Sequence, residues 1–454
     1  MNKFVQLSAL ILLIVSPVGA QEIRGLYIGN QGNFSDGNGS ITWYDFSTRQ
    51  TEEVVSNFGT IVQSITLDGN FGYIASNTSS NVDILDLSTN MRVGQIREIG
   101  QPRYISIVSS DKAYVTEHLG LGRVRILNLQ SRSTIESDTI STGYKPEDIA
   151  VVGNRAFVAN NGYGRDSTLT VINTQTDTVI ETIDLGCDGP RHLEVDSQNE
   201  IWAFCTGNTL YSDDFSMVLE RTNGQAVVLN PLTGKIIERI EFNHQIGSSG
   251  PGQDSYYSPA SEEIFLIRSD TTAILIFDTA SNSYKETLPL SGDERVGGLA
   301  YDADARQLYI GRFDRLFAIG FTQPGFVQIA NRDDLSEVDR FTVGIAPAHL
   351  VFHQSPQATA LDQIGFPEQV DLFSNYPNPF NRTTTLSFTL DQNQQVSLVI
   401  YDALGREIDT PISGFTMAGK HTVVWEASHL PAGTYFSRLV TDNQVYTQTL
   451  VRTR

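Results

Sequence analysis

From residue 22 to 354 the chain runs through short stretches in which apolar and polar positions alternate. Clusters of Gly, Asn, Asp and Pro separate them. A period of two predicts strands, and the breakers predict the turns between them. One unit recurs seven times: an apolar strand, a tight polar turn, then a strand with an aromatic followed by small apolar residues. The second strands read "GLYIGN", "FGYIAS", "KAYVTE", "RAFVAN", "EIWAFC", "EIFLIR" and "QLYIGR". Their aromatics are Tyr27, Tyr73, Tyr114, Phe157, Trp202, Phe265 and Tyr309, spaced 46, 41, 43, 45, 63 and 44 residues apart. Four strands per repeat, at a period of roughly 40 to 45 residues, predict propeller blades.

The flanking strands follow in order. "SNVDILDLST" (80–89), "GRVRILNLQS" (122–131), "STLTVINTQT" (167–176) and "TAILIFDTAS" (272–281) read as third strands, and "DTVIETIDLG" (177–186) as a fourth. The first repeat begins at its aromatic strand, "EIRGLYIGN", and the array ends on an unpaired first strand, "APAHLVFHQ" (346–354). The last strand is therefore expected to complete the first blade and close the ring, which removes exposed edges. Residues 355–370, "SPQATALDQIGFPEQV", read as a polar linker bounded by prolines. Strands at about 384–390 and 395–401, then "HTVVWEA", "AGTYFSRLVT" and "VYTQTLVRT", predict a small sandwich. The expected fold is all-β, a seven-bladed β-propeller followed by an immunoglobulin-like β-sandwich.

Two stretches carry resemblances. Residues 142–186, "TGYKPEDIAVVGNRAFVANNGYGRDSTLTVINTQTDTVIETIDLG", resemble the YVTN type of propeller repeat. That family's pattern is a Pro-led strand, Tyr-Val-x-Asn, Val-x-Val-Ile-Asp and Thr-Val-x-x-Thr-Ile. The second and third repeats match it well, the fifth to seventh only in skeleton. Near the C-terminus "NYPNPFN", "VSLVIYDALGREI", "AGKHTVVWEASHLPAGTYFSRL" and the terminal "LVRTR" resemble the type A C-terminal sorting domain of type IX secretion. The sorting motif covers Asn375, Tyr376, Pro377, Asn378, Pro379, Phe380 and Asn381. This resemblance implies export across both membranes, the type IX machinery as a partner, and a passenger released or held at the cell surface.

The N-terminus supports that route. Lys3, the apolar "LSALILLIV" and Val18-Gly19-Ala20 form a secretory signal with Gln21 as the first mature residue. The apolar run is too short to span a bilayer. The expected organisation is a signal peptide over 1–20, a propeller over 21–354, a linker over 355–370 and a sorting domain over 371–454. Net charge is −21. Residues 21–370 hold 45 acidic and 24 basic side chains, and 371–454 hold 7 and 6. An acidic chain lacks the basic face that nucleic acid requires, and anionic lipid repels it. The acidity serves solubility or attracts a cation. Two cysteines, Cys187 and Cys205, stand in an oxidising compartment. A disulfide, two free thiols and a metal site are the alternatives. Cys205 at the end of a second strand, with Cys187 in the neighbouring loop, favours the disulfide.

Candidate chemistry sits where the loops after the second and fourth strands emerge. The YVTN asparagine position carries Asn30, Ser76, Glu117, Asn160, Cys205, Arg268 and Arg312. The two positions after the Pro-like site carry Gln63 and Ser64, Arg103 and Tyr104, Glu147 and Asp148, Arg191 and His192, Gly297 and Gly298, and Ala348 and His349. The sixth repeat, around "GPGQDSYYSP", does not align. Arg103, Arg191, Arg268 and Arg312 either grip an anion or pair with Glu117, Glu147 and Asp148. His118, His192 and His349 either converge on a metal or hydrogen-bond along the rim. Glu147, Asp148 and Asn160 have the donors for Ca²⁺, but neighbouring strand residues point opposite ways. "SDGNGS" (35–40) starts like a Ca²⁺ loop, yet has Ile41 and Ser47 where that loop needs Gly and Glu. The insertion "YSDDFSMVLERTNG" (211–224) accounts for the spacing of 63 and is a candidate binding loop. No nucleophile elbow, phosphate loop, HExxH or haem-attachment motif occurs, and no cofactor is required. The expected function is a secreted or surface ligand-binding scaffold, for an extracellular ligand, glycan or protein. The alternatives are a metal-dependent hydrolase or lyase in the funnel and a structural or adhesive surface-layer component.

Overall fold

A computed structural model describes residues 23–56, 58–212, 217–247, 252–268, 273–315, 321–354, 373–376, 378–390, 394–402, 406–416, 419–440 and 445–453. The expected signal peptide and linker lie outside these residues, as does Pro377. The side chains of Asn375 and Tyr376 are likewise outside them. The chain divides into two compact units, Met1–Pro356 and Gln357–Arg454.

In the first unit the described residues form seven four-stranded antiparallel sheets and a separate two-stranded ribbon, with no α-helix. The sheet that joins the ends of the unit runs Gln50–Val55, Ser40–Asp45, Ile23–Asn30, Pro347–Gln354. Leu26 faces Phe352 and Ile28 faces Leu350. The first strands of the sheets touch in cyclic order: Pro347–Gln354, Val62–Asp68, Pro102–Ser109, Pro146–Val152, Pro190–Val195, Ser255–Ser258, Arg295–Asp302 and back to the start.

This arrangement explains the hydrophobic pattern. Each sheet has a neighbour on both faces, so its middle strands are apolar on both sides. Seven apolar clusters result, each filling one space between consecutive sheets. Between the sheets of 146–184 and 190–241, for example, Phe157, Leu169, Val171, Leu193, Ile201, Ala203 and Val227 pack together. The outermost strand has only one neighbour and stays exposed, as in Gln50–Val55 and Thr178–Asp184. The seven repeat aromatics are all buried. Several use their polar tips on a turn: Tyr27 Oη donates to Asn90 Oδ1, Tyr114 Oη to Asp177, and Trp202 Nε1 to Asp196.

The turns between third and fourth strands repeat one geometry. Arg49, Asn90, Arg132, Asp177, Asn282 and Leu335 each take a positive φ of 51° to 56° at the same point of the turn. An Asp or Asn four residues earlier caps most of them; Asp45 Oδ1, for instance, accepts from the N–H groups of Ser47 and Thr48.

The sixth sheet corrects the expectation for the spacing of 63. Its first strand is Ser255–Ser258. The extra length has two sources. One is the ribbon Thr209–Tyr211 with Val218–Arg221. The other is a long connection from Glu241 to Ser255.

The second unit is two antiparallel sheets around one core. Phe373–Tyr376, Thr383–Leu390 and Gly419–Glu426 form the first. Glu407–Thr416, Gln394–Asp402, Gly433–Val440 and Val445–Arg452 form the second. Phe380, Leu386, Phe388, Leu398, Ile400, Trp425, Leu439 and Leu450 fill the space between them.

Candidate functional site

Most side chains at the ends of the second strands are turned back into their own sheets. Asn30 Nδ2 donates to Ser40 Oγ at 3.1 Å and Thr42 Oγ1 at 2.9 Å. Asn160 Nδ2 does the same to Thr168 and Thr170, at 2.9 and 3.0 Å. Ser76 Oγ bonds Asp83, Glu117 accepts from Arg123, Arg125 and the Gly100 N–H, and Arg312 donates to Gln328, Glu294 and the Ser291 carbonyl. The Sγ atoms of Cys205 and Cys187 are 2.06 Å apart, a disulfide. Asn30, Ser76, Glu117, Asn160 and Arg312 are buried and tie second strand to third, Cys205 is tied to the loop before the first strand, and Arg268 is partly exposed. Asn160→Ala is expected to cost about 1–2 kcal/mol, the value of two modest hydrogen bonds less what the freed hydroxyls recover. Urea unfolding would measure it, and a neutral substitution would show that the lock carries no load.

The first strands bring Arg103, Tyr104, Glu147, Arg191, His192 and His349 towards the axis, where they engage one another. Arg103 grips Glu147 with two hydrogen bonds of 2.9 and 2.7 Å and donates to Gln63 Oε1 at 2.6 Å. Burial pushes the Glu147 carboxyl up, but Arg103 and Arg191 pull it net below the ordinary carboxylate range. Asp148 points the other way, accepting from the Leu193 N–H at 3.1 Å, and burial leaves its pKa raised. His192 Nε2 meets Asp254 Oδ2 at 3.0 Å, and Arg191 Nε lies 3.6 Å from the same oxygen. Burial disfavours the charged Arg191, but Asp254 and Glu147 outweigh it and leave the guanidinium more firmly protonated than a free arginine.

Asp254 was not legible in the sequence, because its connection has neither period nor alignment. It is fully buried and belongs to a segment that ties the first strands of several sheets together. Tyr104 Oη donates to the Gly252 carbonyl at 2.8 Å, Gln253 N–H to the Ala348 carbonyl at 2.8 Å, and the Leu350 N–H to Gln253 Oε1 at 3.3 Å. A Cβ on Gly252 would collide with the Gly297 carbonyl. Burial raises the Tyr104 hydroxyl far above its usual value, so it stays a donor.

Burial holds His118 and His349 neutral, lowering them to about 4 and about 3. His118 Nε2 lies 3.6 Å from Glu147 Oε1. In the unfolded chain a histidine protonates near pH 6.5. Below that pH the unfolded state binds protons that the native state refuses. Stability should therefore fall by about 1.4 kcal/mol per pH unit for each histidine, from pH 6.5 down to about 4 for His118 and about 3 for His349. His349→Gln is expected to flatten that acid slope by one proton. An unchanged slope in urea titrations at several pH values would count against it. Among the described residues no three His, Cys, Asp or Glu side chains are grouped to hold a metal ion.

The exposed chemistry lies beside the axis. Backbone hydrogen bonds stitch the loops of three consecutive sheets into one arc: Lys145 N–H to Leu121 O, Gly162 N–H to Tyr144 O, Gly189 N–H to Asp166 O, Thr206 N–H to Gly189 O, Thr222 N–H to Asn208 O. This arc presents Leu119, Leu121, Tyr144 and Tyr163, and the ribbon that follows it presents Tyr211, Val218 and Leu219, all exposed. Tyr163 is 62% exposed and sits at φ 58° between two glycines, a left-handed conformation that costs a tyrosine energy. Its ring meets His118 and Tyr144 edge to face, each at 5.9 Å. Lys145 Nζ stands over both tyrosine rings and donates to the carbonyls of His118 and Gly120. The sequence marked only the 211–224 insertion; the other exposed residues are single loop positions with no periodic pattern.

Known proteins resemble the chain in parts. Two solved structures are propeller-like and similar in fold. One is a quinonprotein alcohol dehydrogenase-like protein from Bacteroides thetaiotaomicron, 12% identical with a TM-score of 0.54, over 72% of this chain and 78% of that one. The other is the hydrazine synthase of Kuenenia stuttgartiensis, 20% identical with a TM-score of 0.50, over 63% and 88%. No curated protein matches the chain in sequence. Residues 24–223 match a domain of unknown function, DUF5074. Residues 374–453 match the secretion system C-terminal sorting domain, which marks the chain for export by type IX secretion to the cell surface or beyond.

Proposed function

We propose that the exported protein is a binding scaffold: a seven-bladed propeller of YVTN-like repeats over residues 21–354, joined by the 355–370 linker to an immunoglobulin-like sorting domain over 371–454. The cyclic contact of the seven first strands supports the blade count. The carrying observation for binding is the stitched arc, whose rigid exposed aromatics and aliphatics add nothing to the core. Exposed apolar groups held in place and rimmed by polar ones mark interaction surfaces. The axial residues, by contrast, are engaged with one another and bridged by Gly252–Asp254. The partner is therefore an extracellular macromolecule that meets a surface, and the axis is the rigid support.

The test compares the wild-type chain with Leu121→Asp/Tyr163→Ala. Both are incubated with surface proteins and glycans of the producing organism. The expected result is a partner held by the wild type and lost by the variant at an unchanged melting temperature. Equal retention would place the contact elsewhere. Loss of self-association in the variant would instead identify a second copy of the chain as the partner, which is the surface-layer reading.

A further inference from the structure

The last strand, Val445–Arg452, ends its sheet, with Gly433–Val440 on one side. An edge strand turns alternate backbone groups away from its sheet. Along this strand's C-terminal half those groups do have partners, supplied by residues 378–380. Asn378 Nδ2 donates to the Thr449 carbonyl, and its Oδ1 accepts from the Val451 N–H, both at 2.8 Å. The Phe380 N–H donates to the Val451 carbonyl at 2.9 Å. The Phe380 carbonyl accepts from the Thr453 N–H at 2.7 Å and the Thr453 hydroxyl at 3.1 Å. The Asn378 carboxamide thus stands in for a peptide group, with donor and acceptor side by side. Phe380 and Arg452 form a parallel bridge. The Phe380 ring anchors the segment in the core, 5.8 Å from Trp425. Asn378 and Pro379 themselves are exposed, so the seam lies at the surface.

We propose that Asn378–Phe380 is a clasp that completes the terminal strand. The export machinery then engages the closed seam, Asn378 and Pro379 together with the edge Thr449–Thr453, as one folded surface rather than as a linear motif. The partner is a protein receptor of that machinery. The seam joins the two ends of the region that matches the sorting domain, residues 374–453. It exists only when the C-terminus is present and folded. Asn378 acts here as a positioning residue. Asparagine is required because aspartate would lose the donor and place charge against the Thr449 carbonyl.

The test expresses the full chain in a type IX-secreting bacterium as wild type, Asn378→Ala, Asn378→Asp and the exposed control Arg382→Ala. Two quantities are read: the fraction outside the cell, and amide hydrogen exchange at Val451 and Thr453 in purified chain. Asn378→Ala should speed exchange at Val451 by about tenfold, the effect of one lost hydrogen bond, and reduce export by a comparable factor. Arg382→Ala should change neither. Normal export with fast exchange would overturn the proposal, because the open seam would then suffice. Lost export with wild-type exchange would also overturn it, because the machinery would then read the Asn378 side chain itself. If Asn378→Ala unfolds the tail, Asn378→Asp decides, since it keeps the acceptor for Val451 but loses the donor and sets a charge against the Thr449 carbonyl. Export as in the wild type by that variant would exclude the clasp.

Discussion

Arg103→Ala should lower the stability of the first unit by about 3–5 kcal/mol, the usual penalty for leaving one member of a buried ion pair alone. The Arg103 and Glu147 side chains are 12% and 5% exposed and share two hydrogen bonds. Without the guanidinium, the Glu147 carboxylate keeps its burial and loses its nearest counter-charge. Its pKa would then rise, since burial is the largest influence on it and Arg103 the largest opposing one. The defect should therefore be widest near neutral pH. It should narrow in acid, where the variant's Glu147 takes up a proton and the wild-type pair begins to break. Arg103→Met/Glu147→Leu, which removes both charges, is expected to recover most of the loss. Urea unfolding at pH 7 and pH 4.5 measures all three chains. A loss below about 1 kcal/mol for Arg103→Ala, typical of surface pairs, would show that water already reaches the pair.

Replacing the disulfide by Cys187→Ala/Cys205→Ala should cost about 3 kcal/mol, the chain-entropy value for a loop of this size. The half-cystines are 18 residues apart in sequence and both are buried. They tie the loop before Pro190–Val195 to the end of Ile201–Cys205. The adjoining backbone bonds, Gly189 to Asp166 and Thr206 to Gly189, carry the arc. The variant should therefore loosen the Thr206–Asn208 connection and weaken partner binding, beyond its global loss of stability. Thiol titration of unfolded, non-reduced protein should find no free thiol. Two titratable thiols would sink the prediction, and so would an alanine pair that melts with the wild type.

Alignment of the repeats brought Arg103, Glu147, His192 and His349 to the axis, because strand position alone decides which end of a sheet a residue occupies. It could not decide what each touches there. Glu147 and Asp148 are neighbours in the chain, yet one turns to Arg103 and the other to the next strand. Asp254 and Gly252 escaped because an aperiodic connection carries no register. Leu121 and Tyr163 escaped for a related reason. A loop residue is distinguished by exposure, and exposure depends on what the neighbouring loops cover.

By itself the sequence determined the strand order, the repeat, the closing of last strand onto first and the sorting tail. These follow from local alternation, turn chemistry and contiguous motifs, which act over short distances along the chain. Only the tertiary structure decided that the axial charges pair with one another, that Gly252–Asp254 bridges the first strands of several sheets, and that the exposed arc lies beside them. It also decided that Asn378 completes the final strand. Each of these joins residues tens to hundreds of positions apart, and the energy of such contacts resides in burial and geometry that no local pattern encodes.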